Sequence, residues 1–139
     1  MAEAKTLSIT IEAPYEPAYA FAQRPENFLK WAAGLSKRLH RTERGWVAET
    51  ADGEALVEFS PANPYGVLDH HVRQGGKPDV YVPLRMIANG DGVEVSLTLF
   101  RLPDMDDETF EKDADLVRRD LASLKRLLES EIAPSAPRT

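Results

Sequence analysis

Asp69, His70 and His71 stand side by side, the densest group of ionisable side chains in any strand-like stretch of this 139-residue chain. Histidine is the side chain best suited to exchange a proton near neutral pH, and a neighbouring carboxylate can orient its ring. Side chains alternate along a strand, so Asp69 and His71 share one face while His70 takes the other. Two catalytic arrangements are therefore open: Asp69 with His71 as orienter and base, or His70 alone, lining an interior beside Leu68 and Val72. Against both stands a histidine that only makes one structural hydrogen bond, since no second motif converges on the triplet. Arg85 interrupts an apolar run and faces away from Val82, Leu84 and Met86. It is either a solvent-side arginine paired across a sheet or a cation whose planar fork meets a ligand carboxylate or enolate.

Other chemistries find little support. With no cysteine there is no thiolate ligand, thiol nucleophile or disulfide. Ser36, Ser60 and Ser96 have no local base, and Gly75-Gly76-Lys77 lacks phosphate-loop spacing. The three histidines have no metal-ligand spacing, with His40 on another strand, so no metal and no cofactor are expected. A net charge of −6 and a pI near 5.1 argue against a nucleic-acid partner. Most of the negative excess falls between Asp104 and Asp115, where it suits a helix start, and Arg118, Arg119, Lys125 and Arg126 follow. Met1 to Lys5 has no signal core and no apolar run reaches membrane-spanning length, so a cytoplasmic protein without membrane insertion, monomer or homodimer, is expected.

The elements that must position these residues are legible from their periods. Thr6 to Ala13 alternates as a strand with Leu7, Ile9, Ile11 and Ala13 on one face. Tyr15 to Ala22 and Phe28 to Ala33 read as two short helices, the second closed by Gly34. Glycine-bearing turns at Arg44-Gly45, Asp52-Gly53, Gly75-Gly76 and Asn89-Gly90 then mark an antiparallel meander. Its strands are expected at 37–42, 46–50, 54–59, 66–73, 80–88 and 93–101. From Asp106 to Ile132, Phe110, Ala114, Val117, Leu121, Leu124 and Leu128 recur at helical steps on one stripe. The expected fold is α+β, one domain over 1–139 with a core of 5–132 and a frayed tail of 133–139. A seven-stranded antiparallel sheet, its first strand paired with its last, would curl around the long helix. Its inward face should carry Ile9, Ile11, Val57, Phe59, Val82, Leu84, Met86, Val95, Leu97 and Leu99.

This element order, with the phrase Asn63-Pro64-Tyr65-Gly66-Val67-Leu68-Asp69-His70-His71-Val72, resembles the SRPBCC superfamily. That helix-grip group includes polyketide cyclase-like, START lipid-transfer and birch-pollen-allergen-like proteins. The resemblance spans roughly Lys5 to Glu131 and implies a cavity between curved sheet and long helix, closed at one end by the short helices. It implies an apolar or aromatic small-molecule ligand. Candidate contacts are Trp31 and Tyr65 at the cavity mouth, with Leu68, His70, Leu84, Met86, Leu97, Val117 and Leu121 inside. A binding protein predicts a pocket of roughly 300 Å³ or more. A cyclase, dehydratase or hydrolase would use His70 or the Asp69 and His71 pair as acid and base, with Arg85 or Tyr81 stabilising developing negative charge. A filled cavity would instead suit a protein-interaction module.

Overall fold

The computed structural model describes residues 1–32 and 38–132. Its order is β1 (Ala4–Ile11), α1 (Tyr15–Ala22), a 3₁₀ turn (Pro25–Asn27), α2 (Phe28–Trp31), β2 (Arg38–Thr42), β3 (Gly45–Thr50), β4 (Gly53–Phe59), β5 (His70–Arg73), β6 (Val80–Val82), β7 (Leu84–Asn89), β8 (Gly92–Phe100) and α3 (Asp107–Glu131). Gly34 as a helix stop, Lys37 as a strand start and the tail of 133–139 lie outside the described residues. Among the described residues, no helix is long and apolar enough to cross a membrane.

The helix-grip class expected from the sequence is the class found, with eight strands rather than seven. The extra strand arises at Pro83. Proline offers no N–H to a ladder, so the stretch 80–88 cannot pair continuously. Val80–Val82 pairs with β5, and Leu84–Asn89 pairs with β8. Two sheets result, ordered β1-β8-β7 and β2-β3-β4-β5-β6. They are stitched where the chain changes sheet: Leu68 N–H donates to Leu84 O at 2.8 Å, Met86 N–H to Gly66 O at 2.9 Å and Thr98 N–H to Pro83 O at 3.0 Å. Two successive segments cross between sheets at one place, and the wall bends there.

β1 pairs with β8 in the register Leu7↔Leu97, Ile9↔Val95 and Ile11↔Val93, so the alternating apolar face of each meets that of the other. The turn before β5 is fixed by Asn63, whose Oδ1 accepts from the N–H groups of Tyr65 and Val67. Gly66 is required there: at φ +69° a Cβ would fall 1.9 Å from Met86 O.

α3 starts at an Asp106 cap, whose carboxylate accepts from Thr109 N–H at 2.8 Å. Its apolar stripe lies against the concave side of the wall. Phe110, Ala114, Leu121, Leu124 and Leu128 are all buried. Leu84, Met86, Val93, Val95, Leu121, Leu124 and Leu128 belong to one core with Ile11, Ala18, Phe28 and Trp31. The space under the C-terminal half of α3 is therefore filled.

Candidate functional site

Val117 is the one member of the predicted helical stripe that is not buried. Beneath it the wall and the helix part, leaving a pocket of about 250 Å³. The floor is Val72 and His70 from β5, Val80 and Val82 from β6, and Leu97 and Leu99 from β8. Strand alternation puts these on one side, and the β5–β6 register sets His70 opposite Val82 and Val72 opposite Val80. Phe28, Trp31 and Ala32, in and just after α2, close one end. The roof is Asp113, Leu116, Val117 and Asp120, which share a helix face at steps of three and four. The volume is a little under the roughly 300 Å³ expected.

Among the polar groups of this lining, His70 is the most buried, only 5% exposed. Its Nδ1 lies 3.2 Å from Leu68 O. A carbonyl can only accept, so Nδ1 carries the hydrogen and Nε2 is left as a lone-pair acceptor. Nε2 has no hydrogen-bond partner among the described residues. The ring packs edge-on against Phe28, centroids 5.1 Å apart, and beside Phe59 at 5.9 Å. This apolar setting disfavours the imidazolium and lowers the His70 pKa to about 4, although the Leu68 carbonyl and the Asp69 charge pull the other way. At neutral pH the ring is an uncharged acceptor. Trp31 Nε1 is also buried, with no acceptor among the described residues.

The two roof carboxylates are perturbed in the opposite sense. Burial raises the carboxyl of Asp113 above its ordinary value and pushes Asp120 up to about 6. Among the described residues, no Lys or Arg lines the pocket.

Asp69, His71 and Arg85 lie on the other side of the wall. The Asp69 carboxylate accepts from Arg85 Nε at 2.9 Å and Nη2 at 2.8 Å, from Tyr81 Oη at 2.9 Å and from Leu84 N–H at 2.8 Å. The Arg85 fork holds that carboxyl below the usual range. His71 stacks on Tyr81, centroids 4.8 Å apart. The cluster pins β5, β6 and β7 together at the Pro83 crossing, and within it Asp69, His71 and Tyr81 border a shallow outer recess with Glu58, Phe59, Ser60 and Pro61.

Of the residues expected to meet a ligand, Trp31, His70, Leu97 and Val117 line the pocket. Leu84, Met86 and Leu121 are in the filled core, and Leu68 joins Leu84 around a second void of only about 10 Å³. Tyr65 is 78% exposed on the loop before β5. The sequence reading did not place Phe28, Ala32, Val72, Val80, Val82 or Leu99 among the ligand contacts, nor the roof residues Asp113, Leu116 and Asp120. A signal existed: Asp120 follows Arg118 and Arg119, away from the acid-rich helix start, and lies one turn from Val117 on the apolar stripe. Among the described residues, no group of three or more His, Asp or Glu is placed to hold a metal ion.

No family model matches this chain, and no curated protein resembles it in sequence. Solved structures do share its fold. XoxI from Bacillus cereus is 15% identical, with a TM-score of 0.72 over 92% of this chain and 96% of that one. CalU16 from Micromonospora echinospora is 17% identical, with a TM-score of 0.63 over 98% and 78%. Ara h 8.0201 is 12% identical, with a TM-score of 0.63 over 94% and 99%. At these identities the likeness is one of fold, and it matches the helix-grip architecture that the order of elements implied.

Proposed function

We propose that the protein binds an apolar or aromatic small molecule in the hollow between the curled wall and α3. The observation that carries this reading is the break in the buried stripe of α3 at Val117, above a pocket lined mainly by Val, Leu, Phe and Trp side chains. A helix whose only task was to cover a sheet would bury that position as it buries Phe110, Ala114 and Leu121. The hollow also weighs against a module with a filled cavity. N-phenyl-1-naphthylamine, uncharged at neutral pH, should fluoresce on binding and saturate at one equivalent. Val72→Trp, which fills the floor, should weaken that binding about tenfold or more, with circular dichroism confirming that the variant folds. Failure of the wild type to saturate would overturn the reading.

A second reading, an enzyme of cyclase, dehydratase or hydrolase type, draws on one observation. His70 and Asp120 line the same pocket with proton affinities shifted in opposite directions, the pattern of a base and acid set apart by their surroundings. Mass spectrometry of a ligand captured from cell extract tells the two apart. A carrier returns it unchanged after hours with fresh protein, whereas an enzyme converts it and His70→Gln does not.

A further inference from the structure

We infer that the ligand is an apolar molecule bearing a protonated amine, received by the carboxylates of Asp113 and Asp120 on the roof and by the acceptor nitrogen of His70 on the floor. This rests on the ligand-binding reading and adds the chemical class.

Asp113 and Asp120 are two helical turns apart, with a rise of roughly 10 Å, and they flank Val117 on the face turned to the pocket. Neither carboxylate has an ion pair or hydrogen bond among the described residues. Acids of α3 on other faces do: Glu108 pairs with Lys112, Asp115 with Arg118 and Glu129 with Lys125. The pocket pair has lost part of its water without gaining a cation among the described residues, and this partial burial raises both pKa values.

The second observation is independent of these acids. His70 is buried, lines the pocket and has its Nδ1–H committed to Leu68 O, so its free nitrogen can only accept. Three acceptors thus line an apolar space that no described lysine or arginine lines. A ligand with acceptors of its own, a carboxylate above all, would be repelled by both acids. An ammonium is attracted by both, can donate to His70, and finds the ring of Trp31 at the closed end of the pocket.

The test uses the full chain and three probes of one shape: naphthalen-2-ylmethylamine, 2-ethylnaphthalene and 2-naphthoate. Affinities come from calorimetry at pH 7.5, and the site from chemical-shift changes at Val82, Leu97 and Leu99. The amine should bind about tenfold or more tighter than the hydrocarbon, the scale of one partly desolvated charge pair, and the naphthoate most weakly. Asp120→Asn should remove most of that preference, bringing the amine's affinity close to the hydrocarbon's for the same variant, and Asp113→Asn should reduce it separately. The wild type gives an arm that needs no variant. Lowering the pH from 7.5 to 5 should erode the amine's advantage as Asp120, with its pKa pushed up to about 6, protonates. Among the described residues, the other titratable group facing them is His70, since β6, β8 and α2 present apolar side chains. If the hydrocarbon shifts the pocket resonances and the amine binds no tighter, this inference falls while the ligand-binding reading stands. If no probe shifts them, both fall.

Discussion

Asp69 shows how a residue with catalytic chemistry can be occupied by architecture. Its carboxylate takes four hydrogen bonds at the point where the chain changes sheet, including the N–H of Leu84 just past Pro83. With both oxygens engaged and Arg85 alongside, it has no free lone pair with which to work as a base. Asp69→Ala should cost about 2 to 3 kcal/mol in urea unfolding, because it orphans a part-buried N–H and the guanidinium together. Arg85→Lys should cost less, since one point charge remains but the bidentate fork is lost. Equal losses would show that the fork geometry adds nothing. The parity argument from sequence separated His70 from Asp69 and His71 correctly, because it depends only on alternation. It could not tell which side was hollow, since that depends on where α3 rests.

At the scale of elements, α3 was legible nearly end to end, from the Asp106 cap to its stripe, because a 25-residue amphipathic period is a strong signal. The β6–β7 pair was not. An apolar run from Val80 to Ala88 looks like one strand unless Pro83 is weighed against it, and Pro83 is where the ladder changes partner. The pocket was illegible for a related reason: sequence periodicity gives the stripe but not the surface beneath each position. Leu121 and Val117 are one turn apart, yet Leu121 is 2% exposed in the core while Val117 roofs the hollow. Leu121→Ala should therefore cost about 2 to 5 kcal/mol, the usual cost of opening a core cavity. Val117→Ala should cost under about 1 kcal/mol, because the space it vacates adjoins one already empty. Chemical denaturation of the two variants checks this, and similar losses would mean that the hollow collapses in solution.

Across the whole molecule, His70 and Asp120 oppose each other in the dependence of stability on pH. Folding lowers the His70 pKa from 6.5 to about 4. Between those values the unfolded chain holds a proton that the folded state refuses. This stabilisation is complete above pH 6.5 and is lost as pH falls through 4, a change of about 3 kcal/mol. Asp120 is raised from 3.8 to about 6, so its contribution runs the other way, full below pH 3.8 and lost as pH rises through 6. Asp120 is partly exposed, and screening reduces its share to about 1 kcal/mol. The histidine should win, so stability climbs from pH 4 to 6.5. His70→Gln should flatten or reverse that climb. Asp120→Asn should steepen it, adding about 1 kcal/mol at pH 7.5 and almost nothing at pH 4. Urea midpoints at pH 4, 5, 6 and 7.5 read all three proteins. A carboxylate that destabilises the empty protein and selects its ligand would illustrate the usual trade of stability for a binding site. Asp120→Asn should then be the more stable protein and the poorer amine binder. If its midpoint at pH 7.5 is unchanged, Asp120 is hydrated in solution and the desolvation assigned to the pocket roof is absent.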